Sequence, residues 1–292
     1  MQTTTGPQKV VVITGADSGI GLEAAKVLAK QGYEIALICR TKERGNHALA
    51  ILKSISGPNT QHRLFLSDLA DREQIFSVTD ALKETYDHID LLINNAGLMS
   101  YKKQLAPDGL ELHLAVHVRA PFMLINLLLD RVNAAPAGRI INVSSDLHKS
   151  GFLQWDDMSF AQTPYSMMRA YGNSKMALTT MTNELSRRLA GLPLTIGSLH
   201  PGVIKTNLFR NFKDMSFLAK AALSLANVFL MTPEQGAKSI LMLATDPKLE
   251  GQKSIYLHKT TVGKAIPATY EAEAGKRLWK WLESQSTLIT MI

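Results

Sequence analysis

Val10-Val11-Val12-Ile13-Thr14-Gly15-Ala16-Asp17-Ser18-Gly19-Ile20-Gly21 carries an apolar run into a loop with three glycines, and a helical pattern over residues 20–30 follows at once. An unbroken branched aliphatic run suits a strand covered by helices on both faces. Gly15 permits a tight turn, Gly19 lets backbone N–H groups approach a pyrophosphate, and Gly21 lets the helix pack against the strand. The helix N-terminus adds favourable potential for an anion. A glycine turn without a ligand has no need of this strand, loop and helix together.

Similar apolar runs recur at residues 35–39, 64–66, 89–93, 140–143, 194–199 and 254–257, with helical patterns between them, among them 72–86, 171–190 and 233–244. Alternation of this kind predicts an α/β fold, a single doubly wound Rossmann domain over residues 1–292 with a seven-stranded, mainly parallel sheet and helices on both faces. Residues 110–129 alternate like a strand and contain Pro121, but their place between the fourth and fifth strands predicts a crossover helix.

The composition agrees with a folded chain. Of 292 residues, 46% are hydrophobic and 20% charged, which excludes disorder, collagen and coiled coil. Lys and Arg number 32 against 25 Asp and Glu, a net charge of +7 that suits an anionic partner. A zinc finger, RNA-recognition motif or long basic tract is missing, so nucleic acid is not the expected one. Cys39, the one cysteine, permits neither an intrachain disulfide nor a cysteine zinc site and fits the cytoplasm. Polar residues 1–9 do not read as a secretory signal or anchor, and the apolar stretch 217–231, broken by Lys220 and Asn227, reads as non-spanning.

Two features speak to chemistry. The second strand ends at Arg40, where an acidic residue would bind a ribose 2′-hydroxyl and a guanidinium can instead pair with a 2′-phosphate. Arg40 therefore points to NADP(H) rather than NAD(H), against the alternative of a solvated basic loop with Lys42 and Arg44. Tyr171 and Lys175 stand four residues apart on one helix face. A phenol titrating near pH 10 becomes an acid–base group when a neighbouring ammonium favours its phenolate.

The spacing Gly-x3-Gly-x-Gly after a Thr, then Asn94-Asn95-Ala96-Gly97, Ile141-Asn142-Val143-Ser144-Ser145 and Tyr171-x3-Lys175, in that order, resembles the short-chain dehydrogenase/reductase family. Gly21-Leu22-Glu23-Ala24-Ala25-Lys26, His200-Pro201-Gly202-Val203, Trp155-Asp156-Asp157 and Arg277-Leu278-Trp279 look like its retinol dehydrogenase branch. The resemblance implies Ser145, Tyr171 and Lys175 as catalytic residues, with Ser144 as the alternative serine. It implies a cofactor site of Gly15, Asp17, Ser18, Gly19, Ile20, Gly21, Arg40, Asp68, Leu69, Asn95, Ala96, Gly97, Tyr171, Lys175, Pro201, Gly202, Val203 and Thr206, with Asp68 at the adenine and Thr206 at the carboxamide. Asp68 also reads as an N-cap of the helix that follows.

What the resemblance implies is an NADP(H)-dependent oxidoreductase, acting as a carbonyl reductase or alcohol dehydrogenase on a hydrophobic small-molecule substrate resembling a retinoid, steroid or aromatic aldehyde. A homo-oligomer is expected. Residues 206–231 are expected to form a substrate lid whose amphipathic face offers peripheral membrane contact, and residues 258–292 a C-terminal extension packing on the core, a partner subunit or lipid. One departure stands out. His117 replaces the Asn that completes the family's proton relay, which leaves three readings: a core histidine, a relay through its carbonyl or ring, or an NADP(H)-binding regulatory or scaffold protein with little turnover. His113 and His117 share the i, i+4 spacing of a metal pair, but a third ligand is missing, and no metal is expected.

Overall fold

The apolar runs become neighbouring strands of one sheet in the computed structural model, which describes residues 8–57, 60–204 and 230–288. In chain order the elements are β1 (Val10–Thr14), α1 (Gly19–Lys30), β2 (Glu34–Cys39), α2 (Lys42–Ile55), β3 (Arg63–Leu66), α3 (Arg72–Thr85) and β4 (Leu91–Asn94). There follow α4 (Leu112–Asn133), β5 (Arg139–Val143), α5 (Met167–Arg188), β6 (Thr195–His200), α6 (Pro233–Thr245), β7 (Ile255–His258), β8 (Thr261–Gly263) and α7 (Ala272–Ser286). The sheet order is β3-β2-β1-β4-β5-β6-β7-β8, and β1 to β7 pair in parallel. Strand order reverses between β1 and β4, which opens a crevice at their C-terminal ends.

Alternate residues of a strand face opposite sides. Val10 and Val12 join one core with residues of α3, α4, α5 and α7, whereas Val11 and Ile13 join the other with α1, α2 and α6. Both faces are dry, which is why these strands read as unbroken apolar runs rather than alternating ones.

An eighth strand corrects the expected seven. β8 is three residues long, exposed throughout, and turns back antiparallel to β7 after Lys259 at φ +56°. Its edge position demands no apolar pattern, so the sequence carries no signal for it. Helix α3 begins at Arg72, where the pattern places it, but its N-cap is Asp71, which accepts from the Glu73 amide, and not Asp68, which turns the preceding loop by accepting from the Ala70 amide.

Residues 110–129 do form a helix. Its apparent period of two arises because the segment is buried on every side, from Leu114 through Val118 to Phe122. The helix passes through a π turn at Ala115–Arg119 just before Pro121. By length and composition α4 is apolar enough to cross a membrane, but it lies mostly within the core. Helix α7 likewise packs on the core: Trp279 is 1% exposed and meets Phe122 edge-on, with 4.9 Å between ring centroids. Of the expected lid, only Leu230 and Met231 fall within the described residues; Thr206 lies outside them.

Candidate active site

The end of β1 is stitched to the end of β4. Thr14 Oγ1 accepts from the Asn95 and Ala96 amides at 2.9 Å, and Asn95 Nδ2 donates to the Thr14 carbonyl at 2.8 Å. Gly15 sits at φ +65°, and a Cβ there would come within 2.8 Å of the Ala96 backbone. A Cβ on Gly21 would come within 2.3 Å of Asn95 Nδ2. The turn and the close helix approach therefore both require glycine.

Gly19 is different. It lies at φ +59° facing open space, and the N-cap Ser18 makes no side-chain bond to the helix, so the first amides of α1 stay available to an anion. Ser18 Oγ accepts from Arg44 at 3.0 Å, and Arg44 Nε pairs with Asp17 at 2.9 Å. The sequence treated Arg44 only as part of a basic loop, yet it braces the glycine loop from α2. Arg40, exposed at the end of β2, makes no ion pair among the described residues. Cys39 beside it is buried, and burial pushes its thiol up to about 12.

A cleft of about 710 Å³ runs from this loop across the sheet edge. Every expected cofactor residue that falls among the described residues lines it, as does Ser145. The uncapped helix, the two crowded glycines and the open Gly19 fit a dinucleotide pyrophosphate. Leu98, Met99, Val116, Leu147 and Ile204 give the cleft walls an apolar character.

The two serines separate cleanly. Ser144 Oγ turns into the protein to Thr179 Oγ1 at 2.8 Å and the Lys175 carbonyl at 3.3 Å. Ser145 Oγ accepts from the Leu147 amide at 3.3 Å, and its hydroxyl interacts with Tyr171, favouring the phenolate. His148, which the sequence reading passed over, anchors this turn: its Nδ1 donates to the Ser145 carbonyl at 2.7 Å, and Nε2 accepts from the Ile266 amide.

Helix α5 presents Tyr171 and Lys175 together, as their spacing predicts. Burial holds the Tyr171 phenol up at about 12 and pushes Lys175 down to about 7. Lys175 Nζ donates to the Val143 carbonyl at 2.9 Å and lies 5.6 Å from the Tyr171 ring centroid.

His117 does not line the cleft; it stands behind Tyr171, the two rings edge-on with centroids 5.4 Å apart. Its Nε2 accepts from the Leu98 amide at 3.0 Å, which leaves the proton on Nδ1 for Ser174 Oγ at 2.9 Å. Burial, with the charge of Lys175 next in importance, holds this imidazole neutral. His113 is similarly committed: Nδ1 pairs with Glu111 at 2.7 Å, and Nε2 accepts from the Ser100 amide at 3.2 Å. The two rings thus have no lone pair left to share on a metal.

A family model for short chain dehydrogenases matches residues 9–216 of the chain. Retinol dehydrogenase 13 of Homo sapiens is 34% identical over 279 residues, which cover 94% of this chain and 83% of that protein. Among solved structures, an uncharacterized protein from Mycobacterium paratuberculosis superposes with a TM-score of 0.78 at 28% identity, covering 98% of this chain and 96% of its own. L-sorbose reductase from Gluconobacter frateurii, solved with NADPH and L-sorbose, has a TM-score of 0.69 at 26% identity, covering 89% of this chain and 98% of its own.

Proposed function

The chain belongs to the short-chain dehydrogenase family, and from that membership we propose that it is an NADP(H)-dependent oxidoreductase interconverting hydrophobic aldehydes or ketones, retinoids among them, and their alcohols. The observation that carries the proposal is one cleft shared by the uncapped glycine loop and by Ser145, Tyr171 and Lys175. Similarity to Retinol dehydrogenase 13 and the apolar walls at Leu98, Met99 and Ile204 support the substrate class.

The first amides of α1 and the Gly15 turn would hold the pyrophosphate, Asp68 the adenine, and Lys175 the nicotinamide ribose. The cofactor, when bound, supplies or accepts hydride at the nicotinamide. In reduction, Ser145 donates a hydrogen bond to the substrate oxygen as negative charge grows there, and Tyr171 gives that oxygen its proton. Burial keeps the phenol protonated at neutral pH, which suits a donor. In oxidation a Tyr171 phenolate takes the proton of the alcohol, and protonation of Lys175, whose pKa burial sets at about 7, favours that phenolate.

The His117 ring is a core histidine in this proposal, because hydrogen bonds occupy both of its nitrogens. Its backbone carbonyl is the acceptor we assign to the proton relay. Pro121, four residues on, has no N–H to bond it in the α-helical manner. Intact Ser145, Tyr171 and Lys175 leave a scaffold role with nothing to recommend it. A cytoplasmic setting, with peripheral membrane contact to draw on a lipid-soluble substrate, completes the proposal; the lone buried Cys39 suits a reducing compartment.

Cofactor choice rests on Arg40. Asp17 already neutralises Arg44, so Arg40 is the guanidinium with charge to spare at the ribose end. Arg40→Asp should lower NADPH affinity about 10- to 100-fold relative to NADH, as expected for one charged hydrogen-bonded contact of about 1.5–3 kcal/mol. Titrations of both cofactors by intrinsic fluorescence measure this; an unchanged preference removes the assignment of NADP(H).

A further inference from the structure

Two imidazoles and a carboxylate meet at the C-terminal ends of β5, β6 and β7, where Asp146 and His200 themselves line the cleft. His200 and His258 are register partners on adjacent parallel strands, so their side chains leave the same face, with ring centroids 5.3 Å apart. Asp146 follows Ser145, and its Oδ2 lies 3.3 Å from His258 Nε2. One potential ligand atom from each of the three lies within 4.8 Å of the other two. Tetrahedral coordination with bonds of about 2.0–2.2 Å spaces ligand atoms roughly 3.4 Å apart. The Asp146–His258 pair already has that spacing.

His200 provides a second, independent observation. It is only 5% exposed, and its buried Nδ1 has no hydrogen-bond partner. Buried polar atoms are rarely left so unless something satisfies them.

We propose that Asp146, His200 and His258 form a binding site for a divalent transition-metal cation of the zinc class. Two imidazoles with one carboxylate suit Zn²⁺ or Co²⁺, whereas Mg²⁺ and Ca²⁺ prefer all-oxygen surroundings. Three protein ligands leave a further position for water. The bound ion ties together the ends of three strands next to Ser145 and Pro201, so it stabilises the fold by linkage. Lys149 is its competitor: Nζ pairs with Asp146 Oδ1 at 2.9 Å, but this side chain is half exposed and free to swing into solvent.

Co²⁺ titration of the full-length, untagged protein tests the site. Visible absorption of four-coordinate Co²⁺ should saturate at one ion per chain, and Zn²⁺ should displace it and raise Tm. His258→Ala removes a ligand whose side chain is 45% exposed, so the variant should fold, as circular dichroism can verify, and bind Co²⁺ at least about 100-fold more weakly. Lys149→Ala should tighten binding roughly two- to fivefold by removing the competing ammonium. Lack of saturable absorption in the wild type, or equal affinity in wild type and His258→Ala, overturns the site.

Discussion

Tyr171→Phe is expected to lower turnover of a hydrophobic aldehyde by about 10²- to 10⁴-fold, the range that a positioned proton donor contributes. NADPH affinity should stay within about twofold, because the role proposed for the Tyr171 hydroxyl is at the reacting oxygen and not at the phosphate loop. Only the hydroxyl is lost, since Phe keeps the edge-on ring contacts with His113 and His117. Single-turnover rates with NADPH in excess, set beside the cofactor Kd, separate chemistry from binding. An unaltered rate would remove Tyr171 from the chemistry; a loss of NADPH affinity as large as the loss of rate would mean that the hydroxyl serves cofactor binding alone.

Lys175→Met should abolish most turnover as well, and it should change stability in a way that depends on pH. Burial holds the folded-state pKa of Lys175 at about 7, below its ordinary value of 10.5. The unfolded chain therefore binds more protons between those values, and the contribution of Lys175 to stability improves as pH rises from about 7 towards 10.5. Each unit of depressed pKa corresponds to about 1.4 kcal/mol of disfavour for the charged form. Replacement by Met removes this dependence, and near or below pH 7 the variant should be the more stable protein. The gain is offset by the Val143 carbonyl, which loses its donor at a cost of about 1–3 kcal/mol. Urea unfolding of both cofactor-free proteins across this pH window reads the effect; parallel curves would show that Lys175 is not held uncharged by burial.

The fold was legible where burial is uniform. Strands dry on both faces leave apolar runs, and the helices between them leave a helical pattern, so β1, β2 and β4 to β7 could be read from the chain; β3, a partly exposed edge strand, was legible only through its apolar residues 64–66. Edge strand β8 could not, because three exposed residues carry no apolar signal. Arg44 was hidden for another reason: from the chain it is one of three basic residues in a row of five, and only the turn into α2 aims it at Asp17 and Ser18. His117 looked like an altered relay residue in the sequence, while its partners, Leu98 and Ser174, come from separate segments that meet only on folding. His148, Asp146, His200 and His258 were equally scattered until β5, β6 and β7 aligned their ends. The net positive charge, by contrast, gained only a local meaning, at Arg40.

Hydride transfer from NADPH to a hydrophobic carbonyl is tested most directly by following the hydrogen itself. The full-length protein is incubated with retinal or an aromatic aldehyde and NADPH deuterated at the nicotinamide C4, using each of the two C4 epimers in turn, and the alcohol is analysed by mass spectrometry. One epimer should deliver a single deuterium to the carbinol carbon and the other none. Alcohol formed without deuterium from either epimer, or no alcohol from any hydrophobic carbonyl despite tight NADPH binding, would contradict the proposed function.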